Sequence, residues 1–377
     1  MRAVIIVLLA SIVVACSSGP TTAPEPEVVT GSLVWPGPVG RVNLKVAQYS
    51  STMPLLDVGI AIFDPGIPED ESTHSKLGIF PEIREAEAKY MPALLRDALV
   101  DSNGWGPVRV LPEPNDTAVL LVTGRIEHSD GLRLVLQVRA VDVTGRVWLD
   151  KMYLDESLES DYPVPVGGDP YQDIYFQIAN DLLAARDALA IASLRQIPAI
   201  AELRYAESLS PEAFAGYLGR DEQGFLIANR LPADGDPMMN RVQRILNQEY
   251  LFIDTVDEQY QQLSEEMGPT YDLWRQYGRE QAIYKEDYQR RLSTRESQGR
   301  RGTFPAMQQT YNAFKWTKIQ QQDLYELAVG FDNEVAPTVL EASGKVFRLN
   351  GTLDTQYSEW RDILREIFAL ETGLPTQ

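Results

Sequence analysis

The stretch AVLLVTGRIEHSDGLRLVLQVRAVDVTGRVWLDKMYL, residues 118–154, decides the fold. Ala118 to Glu127 reads as a strand, and Ser129-Asp130-Gly131 as the hairpin turn after it. Leu132, Leu134, Leu136, Val138 and Ala140 then alternate with Arg133, Gln137 and Arg139, the period of a strand with one apolar face. Val143-Thr144-Gly145 turns the chain again and Val147 to Leu154 returns. The pattern is a three-strand antiparallel meander with one face toward a core.

Working back toward the amino terminus, Val108 and Val110 form a short strand, and Glu82 to Ser102 has helical period. Ile83, Ala86, Tyr90, Leu94 and Ala98 share one face of that helix. Pro92 predicts a kink near Lys89, and Asn103-Gly104 a left-handed cap. The preceding IPEDESTHSKLGI is polar and acidic and reads as a surface loop. Leu55 to Phe63 (LLDVGIAIF) is a fuller apolar run, as expected of a central strand buried on both faces, and Asp64-Pro65-Gly66 stops it. Val42 to Val46 alternates and predicts one more strand with a wet face.

Working forward, Asp169 as N-cap and Pro170 at the first helical position open a helix whose stripe is Ile174, Ile178, Leu182, Ala185 and Leu189. After Ala190 the strand signal nearly vanishes. Ser210-Pro211 and Asp236-Pro237 repeat the cap-plus-proline start. Val242 to Met267 keeps helical spacing, Gly268-Pro269 is expected to break it, and Tyr271 to Leu292 forms a further, more charged helix. Ala306 to Phe331 reads as helix and Asn333 to Ala342 as weaker helix. Gly344 to Asn350 reads as a short strand, and Thr352 caps a last helix ended by Gly373. The expected class is α+β: a mixed sheet with an antiparallel meander and helices on one face, followed by an all-helical C-terminal domain. The domains are expected at 42–190 and 191–377.

Formal net charge is −20, which argues against nucleic acid and against electrostatic adhesion to anionic lipid. Cys16 is the one cysteine, so no disulfide framework exists. His74 and His128 are the two histidines, too few for a histidine–carboxylate metal site, and each reads as plain surface. No metal and no cofactor are expected. No P-loop or strand–GxGxxG–helix unit occurs.

The first residues, MRAVIIVLLASIVVACSS, carry Arg2, an apolar run from Ala3 to Val14, and small residues before Cys16. The run is shorter than the ~20 residues of a membrane span and reads as a secretory signal over residues 1–15. Val13 to Cys16 resembles the lipobox of bacterial lipoproteins. The resemblance implies diacylglycerol on the Cys16 thiol, removal of the preceding peptide and acylation of the new amino terminus. Ser17 implies export to the outer membrane in a Gram-negative host, with the protein facing the periplasm. Residues 16–41 are then the lipidated cysteine and a Pro/Gly/Ser/Thr-rich disordered tether, on which Trp35 begins to dock.

The helix EIREAEAKYMPALLRDAL, the strand VRVLP and the meander together resemble the small α/β domain of several envelope lipoproteins. These are the curli secretion lipoprotein, the activators of penicillin-binding proteins and the amino-terminal domain of the Tol translocation protein. The helical half matches none of them. The resemblance as a whole is to uncharacterised proteobacterial lipoproteins and implies no activity.

Two constellations stand out. Arg290, Arg291, Arg295, Arg300 and Arg301 cluster on an otherwise acidic chain, as a solvated loop or as a seat for phosphate, carboxylate or a protein partner. Glu249, Asp254, Asp257 and Glu258 fall close together on one helix, as solvated charge or as acid–base groups for a glycan. The expected function is a non-enzymatic adaptor, held in the membrane by its lipid and binding a periplasmic protein or glycan. The alternative is a periplasmic glycan-acting hydrolase using carboxylates of the helical half.

Overall fold

A computed structural model describes residues 35–48, 53–115, 117–165, 167–294, 322–323, 325–326 and 337–373. The meander is present as β3 (Leu120–Ser129), β4 (Arg133–Asp142) and β5 (Val147–Glu156). Leu120 pairs with Asp142 and Leu134 with Asp155, and the register shifts between Ile126 and His128 and again between Ala140 and Val141. Leu134, Leu136, Val138 and Ala140 are fully buried, whereas Thr123, Arg125, Gln137, Arg139 and Asp150 share the opposite face. The central strand is β1 (Val58–Ala61), buried at every position. It runs parallel to both β2 (Val108–Leu111) and β3, giving the order β2-β1-β3-β4-β5. The sheet is therefore mixed, with helices packed around it.

One core joins α2 (Pro81–Asp101) and α3 (Gln172–Asp187) to the apolar side of the sheet. Helix α2 passes through Pro92 and ends as expected, with Asn103 at φ 52°. Helix α3 begins two residues later than its proline predicts. Asp169 accepts from the Tyr171 backbone N–H at 2.8 Å, closing a turn ahead of the helix.

Helix α4 (Ile191–Leu209) packs Leu194, Ile197 and Ile200 on Leu56, Val119 and Val143. The longest element, α5 (Pro237–Thr294), starts at Asp236, whose side chain accepts from the Met238 N–H at 2.7 Å. Its 58 residues span roughly 87 Å at 1.5 Å per residue. Gly268-Pro269 does not break it, contrary to expectation. One proline removes a single backbone bond, and Met267, Tyr271 and Trp274 bury the helix on both sides of it. Helix α5 shares its core with α2, β2 and the last helix, α6 (Leu353–Thr372), so sheet and helices join in one compact unit from Trp35 onward. It also closes the β2 edge of the sheet: Asp257 accepts from the Val110 N–H at 2.8 Å. Farther along, the hairpin turn between β3 and β4 lies directly on the helix. A Cβ on Gly278 would sit 2.9 Å from the Asp130 carbonyl.

Other expectations are corrected. Glu71–Leu77 is a helix (α1) rather than loop: Asp70 caps it by accepting from the Ser72 N–H, and Gly78 ends it at φ 70°. It carries no apolar stripe, so periodicity missed it. Ser210-Pro211 opens a turn, not a helix. The half expected to be all-helical holds two hairpins, β6 (Leu218–Arg220) with β7 (Leu226–Ala228) and β8 (Thr338–Ala342) with β9 (Lys345–Leu349). Val42 to Val46 joins no sheet. It belongs to an extended strap, residues 35–48, laid along α3. Asp173 accepts from the Val42 N–H at 2.7 Å and Asn180 from the Lys45 N–H at 2.7 Å, while Asn180 donates back to the Asn43 carbonyl. Trp35, at the strap's start, packs against His128, with ring centroids 4.7 Å apart and the planes tilted by 41°. The helix expected over 306–331 lies outside the described residues apart from helical turns at 322–323 and 325–326.

Candidate functional site

Two helices meet the amino-terminal ends of β1 and β3 and leave a cleft of about 300 Å³. Helix α4 contributes Pro198, Ala201, Glu202 and Tyr205; α5 contributes Gln243, Leu246, Asn247 and Tyr250. Each set has i, i+3, i+4, i+7 spacing, one face of a helix. The sheet side supplies Leu55 to Asp57, which lead into β1, and Thr117 and Val119, which lead into β3.

Glu249 organises the ground behind this cleft. Its side chain is 1 % exposed and accepts from Thr117 Oγ1 at 2.8 Å, Tyr205 OH at 2.7 Å and Tyr357 OH at 2.6 Å. Arg361 Nε lies 3.4 Å away. One carboxylate thus ties β3, α4, α5 and α6 together. It also takes up the hydroxyls of Thr117 and Tyr205, two cleft-lining residues. Burial holds the Tyr205 phenol well above its ordinary range, and the Glu249 carboxylate adds to this.

Arg109 of β2 braces the far wall. Its guanidinium stands 4.8 Å over the Tyr250 ring, 3.5 Å from Asp57 and 2.5 Å from Asp254. Burial raises the Asp57 carboxyl above the usual carboxylate range, and Arg109 opposes that shift. Tyr250 is likewise pushed up, first by burial and then by Asp57. The side chains of Glu202, Gln243 and Asn247 make no hydrogen bond or ion pair with any described residue, and the last two are exposed at the rim.

The carboxylates read as solvated charge or, alternatively, as acid–base groups do not converge. Glu249 lies behind the cleft, Asp254 pairs with Arg109, and Asp257 holds Val110 and pairs with Arg96 Nε at 3.1 Å. Glu258 is exposed. The histidines stay apart from the cleft. His74 contacts the Pro68 carbonyl at 2.7 Å, and His128 lies 3.0 Å from Asp130. Among the described residues no cluster of His, Cys, Asp and Glu is arranged to hold a metal. A second buried polar centre lies elsewhere: Arg275, with no exposed surface, pairs with Asp169 and stacks at 3.9 Å on Tyr271, whose hydroxyl donates to Glu87.

Of the arginine cluster, Arg290 is exposed and lies 3.2 Å from Asp287, one turn before it. Arg291 falls in the last turn of α5. Arg295, Arg300 and Arg301, like Cys16, lie outside the described residues. The cleft itself was missed in the sequence. Its lining comes from four separate segments, and each helical set reads as part of an ordinary amphipathic face. No protein family, curated protein or solved structure matches the chain.

Proposed function

We propose that the chain is a lipid-anchored periplasmic adaptor of the outer membrane, held through Cys16, that binds an envelope protein or glycan without catalysing a reaction. The observation that carries this reading is the lipobox-like Val13 to Cys16, followed by a Pro/Gly-rich tether. The strap supports it: the chain is bound to the body from Trp35 onward, so a tether from Cys16 would end there. Among the described residues no helix is long and apolar enough to cross a membrane; in this reading the acyl chains on Cys16 supply the hold. The commitment of Glu249, Asp254 and Asp257 to internal contacts supports a binding role.

One observation favours the competing reading, a glycan-acting hydrolase. Asp57 and Glu202 line the same cleft, and burial raises Asp57 in the direction a general acid requires. Arg109 beside Asp57 works against that role. The test is Cys16→Ala followed by fractionation of cells. The variant is expected to leave the membrane fraction or to accumulate as unprocessed precursor. Normal processing with unchanged membrane retention would refute the anchor.

A further inference from the structure

We propose that the cleft between α4 and α5 binds a pyranose sugar, neutral or amino, at the end or within the chain of a glycan. This rests on the glycan-binding form of the adaptor reading and names its ligand class. A volume of about 300 Å³ is at the small end of ligand sites and suits a guest of monosaccharide size.

The lining has the mixed chemistry such a guest requires. Gln243 and Asn247 stand one helical turn apart at the rim, with amides that are not used by any described residue. An amide presents donor and acceptor in one plane, so it can bond a hydroxyl as either partner. Glu202, across on α4, adds an acceptor for a hydroxyl or ammonium proton. Below the rim, Leu246, Ala201 and Val119 offer apolar surface to the C–H side of a ring. The floor is preorganised, because Glu249 holds Thr117 and Tyr205 from behind.

Other ligand classes fit less well. A phosphate or carboxylate would meet Glu202 and Asp57, and Arg109, the nearby cation, is already paired with Asp57 and Asp254. A wholly apolar guest would strip water from the amides and the carboxylate without replacing their hydrogen bonds.

The test is titration of the purified full-length chain in detergent with glucose, N-acetylglucosamine, glucosamine and inorganic phosphate. Ligand-observed NMR and calorimetry give the readouts. Saturable binding of at least one of the sugars, with none of phosphate, is expected. Asn247→Leu should weaken the binding about tenfold, the loss of one well-made hydrogen bond. Ala201→Phe, which fills the cleft, should abolish it. Melting curves of both variants check the fold; should Ala201→Phe fail to fold, the exposed Asn247→Leu decides alone. Absence of saturation with every sugar, tighter binding of phosphate, or unchanged affinity in Asn247→Leu would each overturn the site. The measurement needs no membrane, so failure of the anchor leaves it standing, and failure of sugar binding leaves the anchor standing. Cleavage of an added oligosaccharide would support the cleft as a glycan site while overturning its non-enzymatic reading.

Discussion

Glu249 has three hydroxyls and a guanidinium directed at it and almost no contact with water. Removing it strands those hydroxyls in the interior and takes a carboxylate away from Arg361. Glu249→Ala is therefore expected to lower stability by about 3–5 kcal/mol, the range for breaking a buried charged pair. Urea unfolding reads this directly, and a loss under about 1 kcal/mol would show that the network is dispensable. Gly278 gives the opposite lesson about sign. Glycine to alanine inside a helix ordinarily stabilises by ~1 kcal/mol. Here the new Cβ would press on the Asp130 carbonyl, a backbone atom that must move. Gly278→Ala should destabilise, and a raised melting temperature would mean that the hairpin does not sit on α5 as described.

Among the elements, the end of β5 carries a titrating group close to the strap's partners. Asp155 is raised to about 7 by burial and by the neighbouring Asp173, with Asp169 contributing further. Arg41 of the strap reaches Asp161 at 2.6 Å and Asp173 at 3.5 Å. An aspartate raised on folding binds its proton more tightly in the native state. Its stabilisation is complete below the unfolded value and is lost as pH rises through the folded one. The protein should therefore lose up to a few kcal/mol from this group between about pH 4 and pH 7. Asp155→Asn should flatten that part of the profile, and melting curves at the two pH values test it. An unchanged profile in the variant would place the pH response elsewhere. The strap also shows where sequence reading stopped. The meander and α2 were legible because strand and helix periods repeat locally, and β1 because it lies in a fuller apolar run. Val42 to Val46 alternates equally well, but its N–H groups are taken by Asp173 and Asn180, more than a hundred residues away. Helix α1 was hidden for a different reason: a short polar helix announces itself only by its cap and its terminal glycine. The cleft was hidden because nothing in a single segment shows that two amphipathic faces leave a gap between them.

At the scale of the molecule, the shared core decides how the protein unfolds. Val110, Leu111, Ile83 and Tyr90 from the sheet region pack in the same cluster as Ile253, Trp274, Tyr357 and Trp360. Neither part can lose its partner without exposing much of that apolar surface. Calorimetry should record one cooperative transition whose calorimetric and van't Hoff enthalpies agree. Two separate peaks would show that sheet and helices unfold independently.

The strap has a mechanical meaning as well. Its residues 35–48 amount to about 45 Å of contour at roughly 3.3 Å per residue, stored flat against the body. A load applied ahead of Trp35 and perpendicular to α3 opens the contacts one at a time, beginning with the Trp35–His128 ring contact. The same load along α3 stresses the Asp173 and Asn180 bonds together. The strap thus yields to peeling and resists shear, and what it releases is slack, lengthening the leash while the fold behind it keeps its shape.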